Sequence, residues 1–157
     1  MSKNINIIFI FTLSVLLSSC GFKKISQIDN QIYLQNVNVQ GESRIAYLIK
    51  NDILLISNKD AEIKYDVDLT VLKNISVKIK DKTGKITRYS VGISGDLSLK
   101  NNDSLETTKK SFYYTSDYEV ETNHTKTISN EKKAFSITVQ RLSEEIINYI
   151  TIYTKTK

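Results

Sequence analysis

The chain has 157 residues, a formal net charge of +5 and 40% hydrophobic residues. This length and composition predict one folded domain and argue against a disordered segment. With a single cysteine and a single histidine, the chain cannot form an intramolecular disulfide, and it lacks the multiple His and Cys side chains of a structural zinc site.

The amino-terminal segment has the pattern of a secretory signal. Lys3 precedes an apolar run over residues 5–17, which is too short to span a membrane. Two serines and then Cys20 follow, as in the lipobox of bacterial lipoproteins. We therefore predict that residues 1–19 are cleaved and that Cys20 carries a diacylglycerol and an N-acyl chain, which would hold the protein on a membrane. An ordinary signal peptide with a chance cysteine, or an uncleaved anchor, would also fit this pattern.

The residues after the cysteine indicate a compartment. Gly21 stands where an aspartate tends to retain lipoproteins at the inner membrane, so we expect sorting to the outer membrane with the domain on its periplasmic side. We predict a tether over residues 20–30 and one domain over residues 31–157. A basic excess in that compartment excludes nucleic acid and leaves phosphorylated lipids or lipopolysaccharide as anionic partners. A lysine-rich soluble surface would give the same excess without any partner.

The first two elements are a strand and a helix. Residues 32–39 alternate as a strand, and a change of parity predicts a bulge near Asn36. A helix is predicted to begin at residues 41–43 and to end at residues 57–58. Its apolar stripe has three- and four-residue spacing and comprises Ile45, Leu48, Ile49, Ile53 and Ile56.

A long hairpin follows. Odd-numbered positions from Ile63 to Ile79 are apolar except Lys73, which predicts a long strand with one buried face. Residues 81–84 (Asp-Lys-Thr-Gly) are typical of a type I turn closed by a glycine bulge, which pairs Asp81 with the residue after Gly84. The resulting register places Val77 opposite Tyr89, Ile75 opposite Val91, Leu69 opposite Leu97 and Val67 opposite Leu99.

The remaining chain predicts a fourth strand and a second helix. A turn at residues 101–103 leads to a strand that contains Phe112, Tyr114, Tyr118 and Val120. After a polar stretch, a long helix is predicted to begin near Ser129. The order β-α-β-β-β-α predicts an α+β fold, with one mostly antiparallel four-stranded sheet and two helices packed on one face. The first two strands flank a helix and are expected to be parallel.

Groups that could support catalysis are sparse. His124 lies in a polar loop without a cysteine, histidine or other partner nearby in sequence. Asp66 and Asp68 alternate on the face opposite the core, and Glu144 is adjacent to Glu145 on a helix, so both pairs indicate solvated surfaces. We therefore expect neither an enzyme nor a metal site.

One basic cluster suggests an anion site. The register above puts Lys78 directly opposite Arg88, with Lys80, Lys82 and Lys85 in or beside the turn. Like charges in that position destabilise a sheet, and a bound phosphate group would offset the repulsion. These five residues are therefore candidates for binding lipopolysaccharide. The alternative is a solvated hairpin end whose long side chains avoid one another.

Several segments together resemble the LptE family, the lipoprotein subunits of the lipopolysaccharide translocon. The segments that carry the resemblance are Cys20-Gly21-Phe22, the turn at 81–84, residues 111–118 with their Ser-Phe-Tyr start, residues 130–134 (Asn-Glu-Lys-Lys-Ala), and a last helix with Leu142 and Ile146. The resemblance implies a plug inside the outer-membrane barrel LptD that assists assembly of the barrel and binds lipopolysaccharide. A lipoprotein that binds a small ligand or inhibits an envelope enzyme is the alternative.

Overall fold

The computed structural model describes residues 32–156. The predicted cleavage site, Cys20, the tether and Gln31 lie outside these residues. The elements in chain order are β1 (Ile32–Gly41), α1 (Ser43–Leu54), β2 (Ile63–Lys80), β3 (Ile86–Asn101), β4 (Thr107–Glu119) and α2 (His124–Lys155).

The four strands form one sheet in the order β1-β2-β3-β4. The first pair is parallel and the other two pairs are antiparallel, which confirms the predicted α+β class and the parallel start. The register of β1 shifts between Leu34 and Asn36, where the parity change predicted a bulge.

Both helices pack on one face of the sheet and share a single core. α1 contributes Ile45, Ile49 and Ile53, because apolar residues at this spacing lie on one side of a helix. The buried residues of β2, β3 and α2 that complete the centre of the core are Tyr65, Val67, Leu69, Val71, Val91, Ile93, Leu97, Leu99, Leu142, Ile146 and Ile150. The last residue of β1 is Gly41, which has a φ of +123°, and a Cβ there would lie 1.9 Å from the Val71 carbonyl oxygen.

The predicted register of the long hairpin is confirmed at all four pairs. Val77 faces Tyr89, and the same ladder continues to Val67 opposite Leu99. The Asp81 amide donates to the Lys85 carbonyl at 2.8 Å, and Gly84 has a φ of +85°, so the expected turn is present. The turn and the alternation are separate local signals, and their agreement fixes the register.

Three predictions about the elements are wrong. α1 ends at Leu54 rather than at residues 57–58. The last helix begins at His124 rather than near Ser129, because the Asn123 side chain caps it by accepting the Thr125 amide at 2.8 Å. The long strand β2 is not buried on one face throughout, since burial stops after Val71 and every residue from Asn74 to Lys80 is exposed.

Candidate functional site

The most prominent feature of the surface is a hairpin arm, which we define as residues 72–88. It consists of the part of β2 that extends past β1, whose last residue Gly41 pairs with Val71, together with the turn and the first three residues of β3. Four large apolar side chains of this arm are 40–60% exposed. They are Leu72, Ile75, Val77 and Ile79. The arm therefore combines exposed apolar side chains with the basic residues singled out from the sequence.

The tip of the arm is held rigid by Asp81. Its Oδ1 accepts hydrogen bonds from the Thr83 hydroxyl at 2.6 Å, the Thr83 amide at 2.8 Å and the Lys85 amide at 3.0 Å. The hydroxyl bond is the main cause that lowers the pKa of the Asp81 carboxyl below its ordinary value, and the two amides and the charge of Lys85 add to it. The tip thus has a defined shape even though its side chains are fully in solvent.

The predicted pairing of Lys78 with Arg88 is wrong. The ladder between β2 and β3 has irregularities between Val77 and Ile79 and again between Ile79 and Lys80, so that Ile79 is the residue opposite Arg88. Lys78 falls in the first irregularity and has no direct cross-strand partner. Bulges of this kind twist a strand and redirect side chains, so the two cations are not direct cross-strand partners.

Each of these two cations is also compensated by a carboxylate on β4. The Arg88 guanidinium lies 2.8 Å from Glu119, and the Lys78 ammonium lies 3.9 Å from Asp117. The repulsion that motivated an anion between Lys78 and Arg88 is therefore relieved within the sheet. Both residues belong to the arm, and each is paired with its own carboxylate on β4.

The other three candidates remain together at the tip. Lys80, Lys82 and Lys85 are exposed, and within residues 32–156 none of them has a carboxylate in salt-bridge range. Their exposed ammonium groups are free to bind phosphate as point charges. Whether they bind lipopolysaccharide stays a prediction.

A groove that sequence reasoning missed runs between β4 and α2. It has a volume of about 710 Å³ and is lined by residues that include Asp117, Tyr118, Lys133 and Arg141. Burial raises the pKa of the Tyr118 hydroxyl, and the charge of Glu131 adds to this effect. Acidic and basic side chains both line the groove, so it lacks the single sign of charge expected of an anion site. The sequence predicted both elements but did not predict how closely the helix packs along β4, so it gave no signal for the groove.

A smaller cavity of about 210 Å³ lies between the two helices. Its wall contains Phe135, whose ring has the Lys73 ammonium 4.9 Å and the Arg44 guanidinium 5.7 Å from its centroid. At the other side of the cavity, the Ser143 hydroxyl donates a hydrogen bond to the Asp52 carboxylate at 2.7 Å. The cavity is smaller than the roughly 300–1,000 Å³ usual for small-molecule pockets.

The residues considered for catalysis are dispersed. His124 is the exposed first residue of α2, not a loop residue as predicted. Asp66 and Asp68 accept hydrogen bonds from Asn36 and Asn38 at 2.8 and 3.1 Å. In the described part of the chain no group of three or more His, Cys, Asp and Glu side chains could hold a metal ion. No helix among these residues is both long enough and apolar enough to cross a bilayer.

The same fold occurs in solved structures of other proteins. The fold is shared with bacterial proteins named as lipoproteins. A candidate lipoprotein from Caulobacter crescentus matches with a TM-score of 0.58 and 13% identity, over 81% of this chain and 92% of that one.

Two further solved structures have the same fold. The rare lipoprotein B of Shewanella oneidensis gives a TM-score of 0.58 at 10% identity, over 77% of this chain and 96% of that one. An uncharacterized lipoprotein B of Nitrosomonas europaea gives 0.50 at 9% identity, over 80% and 88%. No protein-family model matches the sequence, and no curated protein matches it at a significant level. At these identities the likeness concerns the fold.

Proposed function

We propose that this chain is an outer-membrane lipoprotein of the LptE type, which acts as the plug and assembly subunit of an LptD barrel and binds lipopolysaccharide. The observation that carries the proposal is the fold shared with proteins named as lipoproteins, in a chain whose sequence also has a lipobox ending at Cys20. The domain would lie on the periplasmic side, held by the acyl chains on Cys20.

The chemistry of the arm tip supports the lipopolysaccharide part of the proposal. Lys80, Lys82 and Lys85 supply ammonium groups for phosphates, and the exposed Ile79 lies beside them. An anionic amphiphile offers phosphate groups and acyl chains together, so both kinds of side chain would find a complement. The defined turn held by Asp81 limits the ordering that such binding would require.

We also propose that the protein has no enzymatic activity. A plug binds and positions other molecules, and the large lumen of an outer-membrane barrel has polar walls. The outer face of the sheet is suited to such walls because it exposes small polar and charged residues, among them Asp68, Thr70, Asp96 and Ser111. The small-ligand alternative is weaker because the cavity between the helices has only about 210 Å³, and the larger groove of about 710 Å³ is lined by many charged side chains rather than by the mostly apolar lining of a ligand pocket.

The proposal is tested by isolating the full chain from its native membranes in mild detergent. We expect it to co-purify in a fixed ratio with one large β-barrel, and mass spectrometry of its first mature residue to show an acylated Cys20. A Cys20→Ala variant should leave the membrane fraction if the acyl chains are the anchor. A monodisperse monomer with no barrel would contradict the plug, and an unmodified thiol would contradict the anchor.

A further inference from the structure

Strand β2 is longer than its neighbour β1. The parallel pairing ends at Gly41 opposite Val71, whereas β2 continues to Lys80. Gly41 has a positive φ, and its backbone is too close to Val71 for a Cβ, so the chain leaves the sheet there and enters α1. Within residues 32–156 no strand occupies the position beside β2 beyond this point. We call residues 72–77, between the end of β1 and the first bulge, the open edge.

The direction of the backbone groups on the open edge follows from the ladder. In an antiparallel pair, alternate residues exchange hydrogen bonds with the partner strand. The Lys64 carbonyl accepts from the Asn102 amide at 2.9 Å, so even-numbered residues of β2 bond to β3 as far as the pairing stays regular. Odd-numbered residues point to the other side. On the open edge Lys73, Ile75 and Val77 therefore direct their amides and carbonyls away from β3, where a further strand would lie.

The side chains of the open edge alternate between the two faces of the sheet. Ile75 and Val77 lie on the face of the sheet that the helices cover farther along, and they are 40% and 46% exposed. Asn74 and Ser76 lie on the opposite face, and the Lys78 ammonium reaches Asp117 across that same face. Lys73 lies on the same face as Ile75, with its ammonium 3.9 Å from Glu131, and Leu72 lies on the opposite face and is 60% exposed. An added strand would thus meet two apolar side chains and one compensated cation on one face, and one apolar and two polar side chains on the other.

The charge of the arm indicates which kind of strand would bind at the open edge. The arm has six basic side chains and one acidic side chain in residues 72–88. Three of the basic ones, Lys73, Lys78 and Arg88, pair with carboxylates outside the arm, so the excess positive charge comes from the lysines at the tip. Two copies of the arm would repel each other, which disfavours pairing between two copies of this chain. An acidic segment would instead be attracted. Natural proteins protect exposed edges with lysines and bulges, and here the bulges begin only after Val77, which leaves six regular residues accessible.

We propose that the open edge of β2 binds an extended segment of a partner protein by strand addition. The segment has alternating apolar and acidic side chains, with the apolar ones against Ile75 and Val77. The acidic ones are attracted by the lysines beyond the edge that form no salt bridge among residues 32–156, which are Lys80, Lys82 and Lys85. Main-chain hydrogen bonds to Lys73, Ile75 and Val77 hold it, and side-chain alternation sets its register. This inference uses the sheet geometry and the charge of the arm, and it does not depend on the anchor or on lipopolysaccharide.

The test uses the full chain in detergent and a ten-residue peptide of alternating valine and glutamate, blocked at both ends. Hydrogen exchange at single-residue resolution is measured with and without saturating peptide. We expect exchange of the Lys73, Ile75 and Val77 amides to slow by at least tenfold, with no change along β4. A peptide N-methylated at alternate amides on its pairing edge should bind at least tenfold more weakly.

A pair of proline variants identifies the edge. Ile75→Pro removes an amide that points away from β3, so it should leave the sheet intact and weaken peptide binding by at least tenfold. Thr115→Pro is the matched control, because the Val120 amide of β4 donates to Thr87 of β3 and odd-numbered residues of β4 therefore face outward. It should bind the peptide normally. If Ile75→Pro proves unfolded by circular dichroism, Ile75→Lys tests the same contact with the backbone unchanged.

Four results would overturn the proposal. They are equal binding of the N-methylated peptide, protection of β4 rather than the open edge, self-association of the full chain through these residues in sedimentation, and protection of the same three amides by lipopolysaccharide but not by the peptide.

Discussion

Arg88 on β3 directs its guanidinium to the carboxylate of Glu119 on β4, at a distance of 2.8 Å, and the two residues are direct partners in the antiparallel ladder. The sequence alone placed Arg88 against Lys78, a repulsive arrangement. The contact with Glu119 makes the base of the arm electrostatically balanced and leaves the unpaired positive charge at the tip.

The energy of this pair should be small. Both side chains are substantially exposed, and exposed ion pairs contribute about 0.2–1 kcal/mol. A double-mutant cycle with Arg88→Gln and Glu119→Gln, measured by urea denaturation, should give a coupling below about 1 kcal/mol. The coupling should decrease further at high salt. A coupling well above this value, insensitive to salt, would show that the pair is shielded from solvent.

Lipopolysaccharide binding should depend on the three tip lysines. Replacing Lys80, Lys82 and Lys85 together with glutamate reverses three charges that form no salt bridge among residues 32–156, although the charge of Lys85 acts on the nearby Asp81 carboxylate. We expect the affinity for purified lipopolysaccharide to fall by at least about tenfold, equivalent to roughly 1.4 kcal/mol. Unaltered circular dichroism should show that the fold is intact.

A charge-matched control separates this effect from net charge. Lys59, Lys109 and Lys155 are exposed and lie outside the arm. Their replacement with glutamate changes the total charge equally and should leave the affinity within about twofold of the wild type. Equal losses in the two triple variants would refute a site at the tip, and no loss in either would refute lipopolysaccharide binding by these lysines.

The register of the long hairpin was predictable because two local signals specify it. The turn at residues 81–84 and the alternation from Val67 to Val77 both extend over short distances in sequence, and β3 repeats the pattern opposite them. The bulge after Leu34 was predictable for a similar reason, since an inserted residue reverses the parity of the apolar positions.

The arrangement around Lys78 could not be predicted in this way. Residues 77–80 alternate without a break, so the sequence has no parity change to mark the two irregularities in the ladder. Burial also depends on what covers a strand. Ile75 and Val77 continue the apolar row of β2, yet they are exposed because β1 has ended and the helices pack farther along the sheet. Three-dimensional packing, not local pattern, decides both points.

Gly84 should be sensitive to β-branched residues. Its φ is +85°, but no atom lies within 4 Å of the position of an added Cβ. The penalty is therefore conformational and not steric, and the left-handed region costs an L-residue about 1–2 kcal/mol. Gly84→Val should lower the melting temperature by roughly 3–10 °C. Gly84→Asn is the control and should cost less, since asparagine tolerates this conformation. A melting temperature of Gly84→Val equal to that of the wild type would contradict the turn.

The turn should also make stability depend on pH. The Thr83 hydroxyl, together with amides, lowers the pKa of the Asp81 carboxyl below its ordinary value of 3.8. A lowered pKa means that the folded state favours the charged form. The contribution is complete above pH 3.8 and is lost as the pH falls through the folded-state pKa.

The direction of this pH dependence of stability can be checked with Asp81→Asn, which keeps the shape of the side chain but does not titrate. Thermal melts of the variant and the wild type between about pH 6 and pH 2 should differ most at the upper end, with the wild type more stable. The difference should shrink below pH 3.8. A constant difference over the whole range would show that the charge of Asp81 contributes nothing to the turn.

Two glycines of the sheet should respond oppositely to alanine. At Gly41 an added Cβ would lie 1.9 Å from the Val71 carbonyl oxygen, and the φ is +123°. Gly41→Ala should therefore destabilise the protein by more than about 2 kcal/mol, because the backbone of β1 or of β2 must move to make room for the Cβ. At Gly95 the nearest atoms are side-chain methyls of Leu69, Leu142 and Ile146 at 3.4–3.5 Å, which is ordinary contact. Gly95→Ala should be neutral or should stabilise the fold by up to about 1 kcal/mol, because alanine restricts the unfolded chain.

Urea denaturation of the Gly41→Ala and Gly95→Ala variants checks both predictions. A large loss at Gly95 would show that the core between β3 and α2 has no space for a methyl group. A tolerated Gly41→Ala would instead show that β1 need not end where it does, and the open edge of β2 would then lack its structural cause.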